Sequence, residues 1–334
     1  MRRSEYFDVL KGIGILCVFY GHTAEWASLP SRLIFNFHMP LFFMISGVFF
    51  DPCKSPDFKS LLARLWKGLL LPYCLFVLVG YAVHFNTAMT RWTSSPGLEC
   101  LRILHGDAAP SVWFLVCLAM VQAIAWLMRQ PTGKMAYMVM IVSGVMAHLI
   151  YHYVPRSVIS SMPFMLASVP AAMMFFVFGG CIRNALFRLE RASMKSSVVL
   201  PMLSVMAVLL VAACLVSDDR ISIITATFDL RLLPACALGL GTSALLAKFL
   251  ASFRLPRLVL SCIGRRSLCL FALEAPVAYV LYKMGIVSHE NMMVNEHSCM
   301  SGFLRMAFVL AFAYAASYPT LWVLGKLQTG RVAR

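Results

Sequence analysis

Charge is scarce in this chain. Asp, Glu, Lys and Arg make up 13% of its 334 residues, and only 14 side chains are acidic. Soluble globular domains carry about 25% charged residues. With 60% of residues hydrophobic, a water-soluble fold could not hide its apolar surface, so the solvent has to be lipid. Other features are missing too. The 11 cysteines contain no C-x-x-C pair and no metal-ligand spacing, and no metal is expected. Most of them lie inside apolar runs, where Cys behaves as a small hydrophobe. Cys100 and Cys299 fall in loops, where two free thiols are expected rather than a disulfide. No internal repeat, low-complexity stretch or appended soluble domain is visible. A single transmembrane domain over residues 1–334 is expected. The first apolar run carries His22 and Glu25 and is followed by no small-x-small cleavage site, so it is expected to be retained as a span.

Apolar stretches lie near 9–28, 33–50, 69–85, 112–128, 135–151, 163–182, 198–216, 228–250, 267–284 and 303–324. Each is close to the ~20 residues that cross a hydrocarbon core as a helix. Backbone polar groups in lipid have to be satisfied within the segment, and these runs do not alternate as barrel strands would. The expected fold is therefore an all-α integral membrane protein, a polytopic bundle of about ten transmembrane helices. The net charge of +15 does not imply nucleic acid, because the basic residues sit between the apolar runs. With the N-terminus placed inside, 21 of the 29 basic residues fall in inside segments. Both termini are accordingly expected to be cytoplasmic. The longest outside loop, about 86–111, holds Arg91, Trp92, Glu99, Arg102, His105 and Asp107; an ordinary hydrated loop is preferred there over an acceptor site.

An ionisable side chain inside a span costs about 2.5–3.5 kcal/mol on insertion scales, which makes such residues the first functional candidates. Asp8, Lys11, Ile15, Val18, His22 and Glu25 recur at steps of three and four and share one helix face. Lys11 and His22 are three turns apart, roughly 16 Å along the axis. A cation near the inner end suits the phosphates of an anionic donor. An imidazole in the outer half suits a general base acting on a hydroxyl. Glu25, one turn beyond His22, could orient that imidazole. Singly, Lys11 reads as well as a snorkelling anchor and His22 as an interhelical hydrogen bonder; their shared face favours function.

In the second stretch, Pro40 marks a helix start or kink that could turn Asn36 and His38 toward the first span. His38 reads equally as a catalytic group or as a buried structural hydrogen bonder. Glu274 lies in the ninth stretch, after Arg265, Arg266 and the plausible N-cap Ser267. An intramembrane carboxylate needs a partner, and His22, Lys11 and Arg231 are the candidates. Asp229 and Arg231, at the start of the eighth stretch, are expected close to water.

At these residues the chain resembles the acyltransferase-3 family of bacterial membrane acyltransferases, over nearly its whole length. Lys11 followed by His22 is similar to the family's basic residue, ten residues, then His. Phe37-His38-Met39-Pro40-Leu41-Phe42-Phe43 with Ser46-Gly47 resembles its F-H-M-P-L-F-F-x-x-S-G segment, as in sugar O-acetylases. Arg64 and Lys67 before Pro72-Tyr73 resemble its basic lead into P-Y, and Trp113-Phe114-Leu115 and Phe175-Phe176-Val177-Phe178-Gly179 match weaker landmarks. One departure is visible: the family's L-x-H-x-P is here Leu273-Glu274-Ala275-Pro276, with Glu in place of His.

The resemblance implies a multi-pass enzyme of the bacterial inner membrane. It implies acetyl-CoA or a related acyl-CoA as donor and a hydroxyl of a cell-surface carbohydrate or glycolipid as acceptor. It also implies catalytic importance for Lys11 and His22. The expected site therefore has His22 as base, supported by Glu25 and His38. Lys11, Arg64, Lys67, Arg265 and Arg266 hold the donor, and Asn36, His38, Trp113 and Glu274 line the acceptor side. Partners are acyl-CoA, the carbohydrate or glycolipid acceptor and membrane lipid, with no nucleic acid. The rival readings are a transporter of a sugar or lipid-linked intermediate, which would also carry charges inside spans, and a non-catalytic family member.

Overall fold

The computed structural model describes residues 4–23, 28–106, 112–129, 131–215, 219–284 and 299–329; of residues 23, 299–305 and 329 it describes the backbone alone. The described residues are almost wholly helical, and their β pairing is limited to an isolated bridge between Ser222 and Thr227. The helices are α1 Glu5–Thr23, α2 Leu29–Phe35, α3 His38–Phe49, α4 Phe58–Leu65, α5 Leu71–Val83, α6 Phe85–Ser94, α7 Pro96–His105, α8 Trp113–Leu127, α9 Gly133–Tyr153, α10 Arg156–Ser161, α11 Val169–Arg191, α12 Ser196–Leu215, α13 Leu233–Ala251, α14 Arg254–Arg265, α15 Ser267–Lys283 and α16 Cys299–Thr329.

Local chemistry explains several boundaries. Ser28 caps α2 by accepting from Ser31 N–H at 3.4 Å. Pro40 sits in the first turn of α3, where a missing N–H leaves no intrahelical bond unmade. Asp57 and Ser60 form a reciprocal capping box on α4. Between α4 and α5 the helix widens to a π turn over Trp66–Leu70, in which Leu71 N–H reaches back to Trp66 O. Pro72 follows immediately and has no N–H to give, so the backbone register changes where it arrives.

Seven helical stretches among the described residues are long and apolar enough to cross a membrane: Leu29–Phe49, Phe58–Val83, Gly133–Tyr153, Pro163–Arg191, Ser196–Leu215, Leu230–Ala251 and Met306–Gln328. The other three expected spans are helices as well, but shorter or more polar. α8 has 15 residues and α15 has 17. α1 has 19 residues but carries Glu5, Asp8, Lys11 and His22. The reason lies in packing. Phe7, Val9, Leu10, Ile15, Val18 and Phe19 of α1 are all buried, and α1 contacts α3, α13, α14, α15 and α16. A helix enclosed by other helices need not be apolar all round. By contrast only 17% of α12 and 22% of α9 is covered by the rest of the protein, and their outward side chains are the large hydrophobics that suit lipid.

Two close crossings hold this centre together. A Cβ on Gly47 of α3 would strike Phe176 O of α11, and one on Gly179 of α11 would strike Met44 O of α3. Likewise a Cβ on Gly12 of α1 would strike Leu260 O of α14, and one on Gly264 would strike Asp8 O. Small residues at both sides of a crossing let backbones touch, which is the main source of helix association without a hydrophobic driving force.

The expected outer loop near 86–111 is instead two packed helices, α6 and α7. Glu99 is buried to 2% there and accepts from Tyr81 Oη at 2.8 Å, with Arg91 Nε at 3.4 Å and Arg102 Nη1 at 3.9 Å. Asp107 lies outside the described residues. Cys100 is a free, exposed thiol of α7 rather than a loop residue, and the side chain of Cys299 lies outside the described residues.

Candidate functional site

The end of α1 and the middle of α15 meet in one polar contact. His22 Nδ1 is 2.8 Å from Glu274 Oε2. The Glu274 side chain is 8% exposed and that of His22 37%. A carboxylate enclosed this far in an apolar bundle is costly unless paired and hydrogen-bonded, and the imidazole supplies both. A carboxylate oxygen can only accept, so Nδ1 carries the hydrogen and Nε2 keeps its lone pair. The ring is thus oriented by one nitrogen and left basic at the other. Of the three partners open to Glu274 in the sequence, the structure selects His22. Glu25 lies outside the described residues.

Phe35 forms the wall beside this pair. Its ring centroid is 6.5 Å from that of His22 and 4.9 Å from that of His38, the latter edge-on at 84°. His38 is buried, and its Nδ1 bonds Ile34 O at 2.9 Å. A carbonyl accepts, so here too Nδ1 is the donor and Nε2 the basic nitrogen. Asn36, 1% exposed, spends its amide on structure. Its Oδ1 accepts from Ile221 N–H at 3.0 Å, and its Nδ2 points to Cys214 Sγ at 3.5 Å. Arg220 continues the same tie, donating to Ser31 Oγ at 3.1 Å and lying over the Phe35 ring at 5.4 Å. Burial, and then neighbouring Arg32, push the Arg220 guanidinium below its ordinary pKa. The junction between α2 and α3, which carries His38, is therefore bolted to the segment ahead of α13.

Three turns back along α1, Lys11 lines a cavity of about 120 Å³ with Met39, Phe42, Ile45, Ser46, Phe114, Ser267, Leu268 and Phe271. Its ammonium lies 5.7 Å from the Phe49 ring centroid. Arg64 lies over the next residue, Phe50, at 5.2 Å, and donates to Asp51 O at 3.1 Å. The end of α3 thus gathers two of the expected donor-binding cations. Arg265 and Arg266 immediately precede Ser267 of the cavity wall. Arg265 Nε is 3.9 Å from Asp8 Oδ2. Arg266 donates to Ser317 Oγ at 2.9 Å and stacks on Tyr318 at 3.6 Å and Tyr314 at 4.5 Å. Lys67 is exposed in the π turn, and its carbonyl accepts from Gln328 Nε2 at 2.8 Å. Trp113 is buried edge-on against Phe114, its own ring outside the cavity wall that Phe114 forms.

A second polar group joins Asp229 and Arg231 to two histidines that went unmarked in the sequence. Asp229, expected near water, is only 2% exposed. Arg231 bonds its carboxylate through Nη2 at 2.7 Å and Nε at 3.0 Å, and His148 and His152 of α9 face it. These bonds hold the carboxyl well below its usual pKa, at about 2, against the opposing effect of burial. The signal available was the spacing of His148 and His152, one turn apart on one helix face. The carboxylate that completes the group comes from a distant segment, which periodicity does not reveal.

A family model described as an acyltransferase domain matches residues 4–322. The chain belongs to the acyltransferase-3 family. It is a membrane acyltransferase in general terms, and the match spans both the Lys11 cavity and the His22–Glu274 pair. Comparison with curated proteins and with solved structures returns no match.

Proposed function

We propose that this acyltransferase-3 member is an O-acyltransferase of the bacterial inner membrane that moves an acyl group, acetyl by preference, from cytoplasmic acyl-CoA to a hydroxyl of a cell-surface carbohydrate or its lipid-linked precursor. The observation that carries the reading is the 2.8 Å contact of His22 Nδ1 with Glu274 Oε2. A base held in one tautomer by a buried carboxylate is what activation of a weakly acidic hydroxyl needs. In the proposed topology α1, α8 and α15 cross the membrane along with the seven apolar stretches, and both termini are cytoplasmic. His22 then lies in the outer half and Lys11 nearer the cytoplasm.

His22 Nε2 takes the acceptor's proton as its oxygen attacks the thioester carbonyl. Glu274 stabilises the imidazolium that forms. The tetrahedral intermediate collapses, the C–S bond breaks, and the proton passes from His22 to the departing thiolate. Lys11, Arg64, Arg265 and Arg266 meet the donor's phosphates, with Lys67 at the rim. The Lys11 cavity, walled by Met39, Phe42 and Phe271 with the hydroxyls of Ser46 and Ser267, suits the path of the thioester arm. His38 lies beyond Phe35 on the acceptor side, with its basic Nε2 available to orient the hydroxyl.

The test is release of free CoA by purified protein in proteoliposomes, with and without a glycan extract of the host envelope. Acceptor-dependent release that disappears in His22→Ala, and that falls in Lys11→Ala at subsaturating acetyl-CoA, supports the reading. Acetyl-CoA neither bound nor consumed under any condition would sink it and favour a transporter.

A further inference from the structure

The His148, His152 and Asp229 group combines three donors of a kind that metal ions use. The two histidines are four residues apart on α9, so both imidazoles leave the same face one turn apart. Their rings meet edge-on with centroids 4.4 Å apart. Asp229 projects between them from the segment leading into α13. His148 Nδ1 is 3.9 Å from its Oδ1, and His152 Nε2 is 3.4 Å from its Oδ2. All three donor atoms lie within 4.8 Å of one another. His148 Nδ1 is buried and makes no hydrogen bond. The group borders a cavity of about 520 Å³ shared with Tyr153, Leu230 and Arg231.

We propose that His148, His152 and Asp229 bind a divalent transition-metal ion, zinc by preference, with the remaining coordination position facing this cavity. Two imidazoles and one carboxylate are a standard zinc donor set. Ligands at 2.0–2.1 Å on a tetrahedral ion stand about 3.3 Å apart; the separations of 3.4 and 3.9 Å are near that value, and donors within 4.8 Å of one another reach it by side-chain adjustments of up to about 1.5 Å. An ion-pair cluster explains the geometry less well. Arg231 already supplies Asp229 with Nη2, Nε and its own backbone N–H. Such a cluster leaves His148 Nδ1 buried without a hydrogen bond. An ion between the three donors satisfies that nitrogen. Arg231 is the competitor: its guanidinium repels a second cation, but its side chain is 76% exposed and can swing outward.

The site would also have a structural consequence. It would clamp α9 to the segment that runs from Asp229 back to Ile221 and Arg220, whose bonds to Asn36 and Ser31 position the α2–α3 junction. The ion would then brace the same end of the bundle that carries His22 and His38.

The experiment uses full-length protein in detergent without a polyhistidine tag, stripped by chelator and titrated with Zn²⁺ and, separately, Co²⁺. Calorimetry, the visible spectrum of Co²⁺ and the melting temperature are recorded. We expect one ion per chain, a higher melting temperature with Zn²⁺, and an affinity lower by at least about tenfold in His148→Gln and in His152→Gln. Arg231→Ala should bind more tightly than the wild type, since it removes the competing charge. The proposal is overturned if no stoichiometric binding occurs, or if the double His148→Gln/His152→Gln variant binds Zn²⁺ as the wild type does. Chromatographic elution of the folded variants separates loss of the site from loss of the fold.

Discussion

His22 gives its Nδ1 hydrogen to Glu274 across 2.8 Å, and the two residues come from opposite ends of the chain. The pairing joins a half-open imidazole to an enclosed carboxylate. Replacing Glu274 by Gln keeps the shape but removes the charge, and the amide can present its N–H to the ring and stabilise the wrong tautomer. We expect kcat to fall about 10²–10⁴-fold with little change in the KM for either substrate. His22→Ala should cost at least as much. Steady-state CoA release in proteoliposomes checks both; a Glu274→Gln enzyme with wild-type kcat would remove the carboxylate from the mechanism.

Lys11 contacts the donor side in our reading, not the reacting atoms. Loss of one charge-assisted hydrogen bond is worth about 1.5–3 kcal/mol. Lys11→Ala should therefore raise the KM for acyl-CoA by about tenfold or more, and saturating donor should restore most of the rate. Lys11→Arg should recover part of the affinity. A fall in kcat with an unchanged donor KM would instead place Lys11 beside the chemistry.

The crossing of α3 with α11 leaves no room for a methyl group at Gly47 or Gly179, because the obstacle is backbone carbonyl rather than a movable side chain. Gly47→Ala and Gly179→Ala should each destabilise the protein by about 1–3 kcal/mol or more, read as a lower melting temperature in detergent. Gly68, where an added Cβ meets nothing within 4 Å, is the control. Gly68→Ala should leave the melting temperature unchanged or slightly higher.

Asn36 has its amide committed to Ile221 N–H and Cys214. Asn36→Leu would leave a buried backbone donor without an acceptor, at a cost of about 1–3 kcal/mol. The expected result is a lower melting temperature, with the acceptor KM of the folded fraction little altered. A large rise in acceptor KM at unchanged stability would show that Asn36 touches substrate instead.

The all-helical membrane class, the polar face of α1 and the start of α3 near Pro40 were legible because each depends on neighbours within one or two turns. Helical periodicity alone puts Lys11 and His22 on one face, whatever surrounds them. Span counting was less direct. Seven stretches are long and apolar enough to cross a membrane, whereas α1, α8 and α15 are helical but shorter or more polar.

Which helices meet is not written in local pattern. Glu274 could have paired with Lys11, His22 or Arg231, and only the approach of α15 to the end of α1 selects His22. His148 and His152 acquire chemical meaning when Asp229 is folded between them. Gly12, Gly47, Gly179 and Gly264 read as ordinary small residues until the crossings press backbone against backbone. Periodicity and composition are properties of a segment, whereas a carboxylate's partner and a glycine's necessity arise from contacts between segments far apart in the chain.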